Sequence, residues 1–286
     1  MAATTISLIE CPRDAMQGWK HFIPTQKKIA YINALLKVGF DTIDFGSFVS
    51  PKAIPQLADT KEVIQGLKLG NSRSKLLAIV ANERGAADAV LHEAIGYLGY
   101  PFSISETFQK RNTNATIAES LHRVAEIQEL CIKNKKELVV YISMAFGNPY
   151  GDVYNEAVVF DWVNQLAAMD IKIISLADTV GLATAPQVNS ITKYVVDSLP
   201  AVEFGVHLHS NVLNWKEKTD AALAAGCRRF DGALKGIGGC PMAGDDLVGN
   251  MDTELMIPYF EQLGYKLTLD QNALREAGKL AADLFM

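Results

Sequence analysis

The sequence has no excess of basic residues and no long apolar run, and each absence excludes a class of partner. Its 27 Lys and Arg residues are outnumbered by 32 Asp and Glu residues, which leaves a formal net charge of -5. This balance removes the long-range attraction that draws basic proteins to nucleic acid or anionic membranes. Apolar stretches such as 76–81 are far shorter than the roughly 20 residues needed to cross a bilayer. We therefore expect a soluble protein with neither nucleic acid nor membrane as a partner.

Cysteine pairs are also missing from the sequence. The four cysteines, Cys11, Cys131, Cys227 and Cys240, are widely separated and form no C-x-x-C motif. This spacing argues against a disulfide framework and against a thiolate zinc site. The amino-terminal segment has no basic start before an apolar run, and it meets an acid at Glu10. These features are unlike a signal or transit peptide, and they predict a cytoplasmic protein with reduced thiols.

Short β-rich runs alternate with amphipathic helical patterns along the whole chain. Helical spacing of apolar residues occurs, for example, at 24–39, 116–134 and 154–169. Eight strand candidates stand at 6–11, 41–48, 75–81, 101–108, 137–146, 172–179, 203–210 and 229–236. Eight βα units in 286 residues predict an α/β fold of parallel strands, most simply one closed (β/α)8 TIM barrel spanning residues 1–286. One or two extra helices are expected after the eighth unit.

An open, doubly wound sheet is the alternative architecture. Such folds place a G-x-G-x-x-G turn between their first strand and first helix when they bind dinucleotides. Here the first strand is followed by PRDAMQGW (12–19), and no Walker-type G-x-x-x-x-G-K-[ST] motif occurs. The closed barrel is therefore the preferred prediction.

Polar residues gather at the predicted carboxyl ends of the strands, which is the edge of a barrel where active sites form. His207 and His209 are two residues apart on a strand, so their imidazoles point to the same face and can bind one ion. Two interior histidines satisfied by hydrogen bonds are the simpler interpretation, because H-x-H is a weak pattern. The full polar set is Arg13, Asp14, Asp44, Ser105, Glu106, Asp178, His207 and His209.

Oxygen ligands are needed to complete such a metal site. Asp14 and Asn250 can supply them, and the mixed oxygen and nitrogen set suits Mg²⁺ or Mn²⁺ with positions left for substrate oxygens. Both residues have a second interpretation as helix caps, since Asp14 precedes a helical pattern and Asn250 lies close to a helix predicted to begin near Asp252.

A glycine-rich segment, GIGGCPMAGDDLVGN (236–250), follows the eighth strand. Its glycines permit a flap that carries the Cys240 thiol over the barrel mouth, where the thiol can donate or accept a proton. A phosphate-binding loop or a plain turn with an inert thiol is an equal alternative. Cys11, Cys131 and Cys227 are expected in the core.

Seven motifs, in order along most of the chain, resemble those of the hydroxymethylglutaryl-CoA (HMG-CoA) lyase family, within the metal-dependent barrel lyases and Claisen-type synthases. The motifs are PRDAMQ (12–17), SFVSPKAIPQLAD (47–59), SISETFQKRNTNATIAES (103–120), SMAFGNPYGD (143–152), LADTVGLATA (176–185), VHLHS (206–210) and GIGGCPMAGDDLVGN (236–250). The resemblance implies cleavage of HMG-CoA to acetyl-CoA and acetoacetate, a Mg²⁺ or Mn²⁺ cofactor, a homodimer, and a place in leucine degradation and ketone-body formation.

The same resemblance implies roles for individual residues. It assigns metal coordination to Asp14, His207, His209 and Asn250, and catalysis to Arg13, Asp44, Asp178, His207 and Cys240. Arg13 is expected to stabilise the enolate oxygen. Asp178 or His207 would accept the hydroxyl proton, with Asp178 favoured, and Cys240 would protonate the carbanion.

Four positions depart from the family's usual pattern. Asp44 stands where Glu is usual, Gly18 where Asn is usual and Ser210 where Asp is usual, and Asn148 replaces a frequent Cys. The shorter side chain of Asp44 withdraws its carboxylate by about 1.5 Å. We therefore expect the contact of Asp44 to substrate or to Arg13 to be weaker or bridged by water. The four metal ligands are intact, so these departures bear on substrate preference more than on chemistry.

Two other functions stay open at this point. Related barrels condense acetyl-CoA with a 2-oxo acid, but such synthases usually carry extra carboxyl-terminal domains, and only about 50 residues follow the eighth strand here. A non-catalytic CoA-thioester-binding barrel would have no use for a metal-centred acid–base array. In every case an acyl-CoA thioester is the expected partner, and Lys52, Lys110 and Arg111 are available for its phosphates.

Overall fold

Eight parallel strands close into a barrel in the computed structural model, which describes residues 5–239 and 248–285. Every strand pairs with its neighbours in chain order, and β8 pairs with β1 to complete the ring. The predicted (β/α)8 TIM barrel is therefore confirmed. The strands are β1 (Ser7–Glu10), β2 (Thr42–Ser47), β3 (Lys75–Ile79), β4 (Ile95–Ser103), β5 (Glu137–Ser143), β6 (Ile173–Ala177), β7 (Glu203–His207) and β8 (Arg229–Gly232).

Helices connect successive strands and cover the barrel, and the described residues after β8 form two further helices, as expected. Across the described residues, none of the helices combines the length and apolarity needed to cross a membrane. The helices are α1 (Pro12–Gln17), α2 (Thr25–Val38), α3 (Thr60–Gln65), α4 (Glu83–Val90), α5 (Glu106–Thr113), α6 (Ile117–Lys133), α7 (Glu156–Ala168), α8 (Ala185–Ser198), α9 (Trp215–Ala224), α10 (Thr253–Gln262) and α11 (Gln271–Leu284).

The core has two layers because alternate strand residues point to opposite sides of the sheet. Residues on one side fill the barrel itself, where Leu77, Ile79, Val139, Tyr141 and Ile173 form one cluster. Their strand neighbours belong to the larger core that packs against the helices. Burial on both faces explains why β5, with the sequence ELVVYIS, is an almost continuous apolar run.

The fourth strand lies earlier in the chain than the sequence predicts. The prediction of 101–108 was wrong, because β4 begins at Ile95 and the segment from Glu106 forms α5. Ser105 is the cap of that helix, and its hydroxyl accepts a hydrogen bond from the Phe108 amide at 3.1 Å. Glycines within β4 lower its strand propensity and concealed its start. Gly99 is required by packing, since a Cβ atom there would lie 2.5 Å from Ile79 Cδ1.

The other strands also end before their predicted limits, and for β7 and β8 the difference falls at the rim where polar residues gather. β7 ends at His207, and His209 lies beyond it in an isolated antiparallel bridge with Asn250. β8 ends at Gly232 and is followed by a 3₁₀ turn at Leu234–Gly236. The bridge places Asn250, the last residue of the glycine-rich segment, beside His209.

Candidate active site

A cavity of about 110 Å³ opens at the carboxyl ends of the strands. This position is where barrel enzymes place their catalytic groups. One wall is apolar and includes Val49, Ile54 and Ile79. The polar lining residues come from several strands and loops, and they are Arg13, Asp14, Gln17, Asn112, Ser143, Thr179, His207 and His209.

Arg13 is held rigidly beside the cavity by three side chains. Its Nε atom donates to Asp44 Oδ2 at 3.0 Å, and its Nη2 atom donates to the same oxygen at 2.5 Å. Its Nη1 atom donates to Asp14 Oδ1 at 3.2 Å and to Gln17 Oε1 at 2.9 Å. The expectation that the contact of Asp44 to Arg13 is weakened or water-bridged was therefore wrong, because β2 and α1 pack closely enough for direct contact. The contact of Asp44 to substrate stays a prediction.

The charges of this cluster are strongly coupled. Burial alone would lower the pKa of Arg13, but the carboxylates of Asp44 and Asp14 outweigh burial and raise it. Burial raises the pKa of Asp44, and the adjacent guanidinium of Arg13 opposes that rise. Burial also acts to raise the pKa of Asp14, yet Arg13 and the two histidines lower it to about 2. Asp14 is therefore an ionised carboxylate at neutral pH.

His207 and His209 present their Nε2 atoms to the cavity because their Nδ1 atoms are engaged elsewhere. His209 Nδ1 lies 3.0 Å from the Thr179 carbonyl oxygen, which fixes it as the donor, and His207 Nδ1 lies 3.1 Å from Asp231 Oδ2. Burial, followed by the charge of His207, lowers the pKa of His209 to about 4. Burial acts in the same direction on His207, but the hydrogen bond with Asp231 and the charge of Asp14 raise its pKa above the ordinary value.

Asn250 lies beside Asp14, with its amide nitrogen turned toward the carboxylate. Its Nδ2 atom donates to Asp14 Oδ2 at 2.7 Å and to the Ile237 carbonyl at 3.0 Å. The backbone of Gly238 approaches the same pair, since a Cβ atom there would lie 2.0 Å from Asn250 Nδ2 and 3.0 Å from Asp14 Oδ2. For Asn250 to ligate a cation, its amide would have to turn so that Oδ1 faces Asp14.

The donor set fits a hard or borderline divalent cation. Ligand atoms of Asp14, His207 and His209 lie within 4.8 Å of one another, and His207 Nε2 is 4.0 Å from Asp14 Oδ2. The Nε2 atom of His209 is buried and has no hydrogen-bond partner among the described residues. A buried polar atom without a partner is costly, and a cation between these atoms would satisfy it. Anchoring of both Nδ1 atoms is also the usual outer contact of metal-binding histidines.

Asp178 does not line the cavity, and, unlike Asp44 and Asn250, it makes no hydrogen bond to Arg13 or Asp14. Its Oδ2 atom accepts a hydrogen bond from Lys218 Nζ at 2.8 Å, and its Oδ1 atom accepts one from the Ala183 amide at 3.0 Å. The residue is 1% exposed and is not among the described residues that line the cavity. Both carboxylate oxygens are engaged on the helix side of β6, so the structure does not favour Asp178 as the proton acceptor, and that role stays a prediction.

The remaining predictions have varied outcomes. Cys240 lies outside the described residues, and its role stays a prediction. The other three cysteines are buried, as expected for the core. Asn148 organises its own turn by accepting hydrogen bonds from the amides of Tyr150 and Asp152. Lys52, Lys110 and Arg111 are exposed, and their contact to phosphate stays a prediction.

Sequence reasoning missed two polar residues that organise the site. Gln17 accepts from Arg13 and donates from Nε2 to Asp14 Oδ1 at 2.6 Å, so it bridges the two charged residues. Gln17 lies three residues after Asp14 and four residues after Arg13, and this helical spacing could have indicated the contact from the sequence. Asp231 contacts His207. The sequence signal for this residue was weaker, because Asp231 lies on β8 and the sequence did not show which residues of β8 point into the barrel.

A closed parallel barrel with this carboxylate–imidazole cluster at its carboxyl rim defines a candidate metal-dependent TIM-barrel enzyme. Comparison with known proteins identifies the family. The HMGL-like family model matches residues 7–281, so the chain belongs to that family.

Relatives and solved structures agree with this assignment. The hydroxymethylglutaryl-CoA lyase YngG of Bacillus subtilis is 33% identical over 94% of this chain and 89% of its own length. The mitochondrial HMG-CoA lyase of Mus musculus is 32% identical over 93% of this chain and 81% of its own length. An HMG-CoA lyase from A. baumannii, solved with coenzyme A and 3-methylmalate, is 34% identical, with a TM-score of 0.91 over 100% of this chain and 93% of that one. These relatives are lyases, so the comparisons do not favour a transferase or a non-catalytic binder.

Proposed function

We propose that this protein is a carbon–carbon lyase that cleaves 3-hydroxy-3-methylglutaryl-CoA to acetyl-CoA and acetoacetate by a retro-Claisen reaction. The observation that carries the proposal is the convergence of Asp14, His207 and His209 beside the buried guanidinium of Arg13. Identity of 32–33% to HMG-CoA lyases over more than nine tenths of the chain supports the substrate. The coenzyme A bound to the A. baumannii relative supports a CoA thioester as partner.

Asp14, His207 and His209, together with Asn250 once its amide has turned, would hold a divalent cation, Mg²⁺ or Mn²⁺. When bound, this ion supplies Lewis-acid stabilisation for the substrate hydroxyl and an adjacent oxygen. The protein keeps its ligands in the required protonation states. The low pKa of Asp14 keeps that carboxylate charged, and burial keeps His209 neutral, with its Nδ1–H group donating to the Thr179 carbonyl.

The tertiary hydroxyl of the substrate must lose its proton before the carbon–carbon bond breaks. Of the two candidate acceptors, Asp178 is bound to Lys218 on the helix side of the strand, whereas His207 lines the cavity. His207 Nδ1 contacts Asp231, and Nε2 of the same ring would hold the cation, so Nε2 can accept the hydroxyl proton only in exchange for its place on the cation. We propose His207 in place of Asp178 as the acceptor because His207 lines the cavity.

Bond cleavage moves an electron pair onto the thioester and leaves an enolate oxygen. Arg13 is fixed by Asp44, Asp14 and Gln17, so its positive charge needs no reorganisation when that oxygen becomes negative. The apolar wall around Val49 and Ile79 excludes water and strengthens this charge interaction. Protonation of the resulting carbanion is assigned to Cys240, on the resemblance given above.

The direct test is incubation with HMG-CoA and Mg²⁺, with and without EDTA, followed by measurement of acetoacetate and acetyl-CoA. We expect equal amounts of both products with the metal ion and neither with the chelator. His209→Ala should abolish production. His122→Ala is the matched control, since that imidazole is 75% exposed on α6, and it should leave production intact. No product from the wild-type protein with either Mg²⁺ or Mn²⁺ would refute the proposal.

The length of the accepted acyl branch is a further question, and the names of the B. subtilis and mouse relatives favour a methyl branch. A relative from Pseudomonas aeruginosa, 32% identical, acts by name on both 3-hydroxy-3-isohexenylglutaryl-CoA and HMG-CoA. Comparing kcat/KM for these two thioesters decides the preference, and we expect the methyl compound to be cleaved faster.

The finer expectations from the resemblance belong to the same proposal. They are a homodimer, a cytoplasmic location and a role in leucine degradation and ketone-body formation. Light scattering of the purified protein tests the first of these, and a mass of twice 31.2 kDa is the expected result.

A further inference from the structure

Lys218 is a fully buried lysine that lies behind the candidate metal site. It belongs to α9, and its side chain is 1% exposed. Its Nζ atom donates to Asp178 Oδ2 at 2.8 Å and to the backbone carbonyl of His209 at 2.7 Å. Buried lysines are rare unless they are paired, and this one is paired with the end of β6 and with the segment that follows β7.

Asp178, the residue bound by Lys218, also connects the ends of β6 and β7. The backbone amide of Asp178 donates to the His207 carbonyl at 2.9 Å, and its Oδ1 atom accepts from the Ala183 amide at 3.0 Å. Asp178 and Lys218 therefore connect β6, β7, α9 and the start of α8 through one buried ion pair. The Asp178 carboxylate and the Lys218 ammonium group belong to residues that do not line the cavity.

His209 depends on such contacts because the regular strand ends two residues before it. Its ring is held by the Thr179 carbonyl through Nδ1, and its backbone is held by the bridge to Asn250 and by the hydrogen bond from Lys218 to its carbonyl. A shift of this carbonyl would move the whole residue, and with it the Nε2 atom that faces Asp14. Outer contacts of this kind orient metal ligands and set metal affinity.

We propose that Lys218 is a positioning residue that fixes the backbone of His209 for metal binding, and that Asp178 acts as its counter-ion and not as the catalytic base. This inference rests on the proposed function, since it concerns the same metal site. It differs from a purely structural role because it predicts a change in metal affinity. It differs from a catalytic role of Asp178 because it predicts that turnover survives when both charges are removed together.

The test uses Lys218→Met, Asp178→Asn and the double variant. Either single change leaves an unpaired buried charge, so it can impair folding by itself. The double variant removes both charges and keeps the acceptor for the Ala183 amide. It loses the contact between Lys218 and Asp178 and the contact of Lys218 to the His209 carbonyl. A matched control is the double variant Lys193→Met with Asp197→Asn, an exposed ion pair on α8 with side chains 59% and 60% exposed.

Mn²⁺ is titrated into each metal-free protein and followed by the electron paramagnetic resonance signal of free Mn²⁺, and turnover of HMG-CoA is measured at saturating Mn²⁺. We expect the buried double variant to melt cooperatively, to bind Mn²⁺ about 10- to 100-fold more weakly than wild type, and to keep turnover within about 10-fold. The control pair should match wild type in both measurements.

Three other results are distinguishable. Wild-type Mn²⁺ affinity in the folded double variant would show that Lys218 only stabilises the fold, and would overturn the inference. A loss of turnover of about 1,000-fold at saturating Mn²⁺, whatever the Mn²⁺ affinity of the double variant, would show that Asp178 takes part directly in catalysis. That result would also overturn the inference. A wild-type protein that neither binds Mn²⁺ nor cleaves HMG-CoA would instead refute the proposed function.

Discussion

Asp44 accepts hydrogen bonds from both the Nε and the Nη2 atoms of Arg13, at 3.0 and 2.5 Å to the same carboxylate oxygen. The carboxylate is 1% exposed, so little solvent competes for these contacts. One edge of the guanidinium is thereby fixed, and Asp14 and Gln17 hold the Nη1 atom. This fixed cation at the rim of the barrel is the feature from which the first two predictions follow.

Replacement of Arg13 by Met should lower turnover far more than substrate binding. The guanidinium stabilises charge that develops on the thioester oxygen during cleavage, and loss of one such donor costs about 100- to 1,000-fold in kcat. Steady-state kinetics with HMG-CoA should show that loss with KM changed by only a few-fold. Arg275→Met, an exposed position on α11, is the control and should resemble wild type. An Arg13→Met enzyme with near-normal turnover would assign Arg13 a structural ion pair instead.

Replacement of Asp44 by Glu, the residue usual in the family, should destabilise this protein. The Asp44 side chain is fully enclosed and already touches Arg13, so an added methylene has to displace packed neighbours. Such overpacking costs about 1–3 kcal/mol. Urea unfolding measures the change, with Asp161→Glu on the exposed face of α7 as the control. A variant as stable as wild type would mean that the neighbours of Asp44 move freely.

Replacement of Glu10 by Gln should change how stability depends on pH. Burial raises the pKa of Glu10 from 4.5 to about 8, although hydrogen bonds from Thr253 and Leu234 oppose the rise. The folded protein therefore holds this proton more tightly than the unfolded chain. Its stabilising effect is complete below pH 4.5 and is lost as the pH rises to about 8, by up to roughly 5 kcal/mol.

The measurement for Glu10 is urea unfolding at several pH values between 5 and 9. Wild type should lose unfolding free energy relative to Glu10→Gln across that range, because glutamine has no proton to lose. Glu276→Gln, on an exposed part of α11, should parallel wild type. Parallel curves for wild type and Glu10→Gln would contradict the elevated pKa.

Replacement of Gly238 by Ala should damage the metal site more than the fold. Gly238 has a φ of 138°, and an added Cβ atom would lie 2.0 Å from Asn250 Nδ2. We expect weaker Mn²⁺ binding and lower turnover with a nearly unchanged melting temperature. Gly264→Ala is the matched control, since Gly264 also has a positive φ, of 87°, but nothing lies within 4 Å of the added atom. Equal metal affinity in the two variants would show that Gly238 does not shape the site.

The order of strands and helices could be predicted from the sequence because apolar periodicity records which side of each element is buried. The fourth strand was predicted at the wrong place because glycine is unfavourable in strands. Gly99 is needed there because Ile79 leaves no room for a Cβ atom, and this contact cannot be read from the sequence. The closeness of Asp14, His207 and His209 follows from the rule that strand ends meet at one rim, whereas the full set with Asn250 was implied by the family resemblance. That rule places residues at an edge, and it does not say which way a side chain turns.

Asp178 illustrates that limit. It directly follows β6, which ends at Ala177, but Lys218, 40 residues further along the chain, binds its carboxylate on the helix side. The contact between Asp231 and His207 has the same origin in three-dimensional packing between strands. The direct contact of Asp44 with Arg13 depends on how closely α1 lies to β2, a distance that residue type alone does not set.

The most direct test of the account is a crystal structure of the protein grown with Mn²⁺, with anomalous diffraction measured at a wavelength where manganese scatters strongly. We expect one strong anomalous peak about 2.0–2.3 Å from a carboxylate oxygen of Asp14, from the Nε2 atoms of His207 and His209, and from the amide oxygen of Asn250. An Mn²⁺-soaked crystal with no peak among these four side chains, or with Asn250 still donating its amide nitrogen to Asp14, would contradict it.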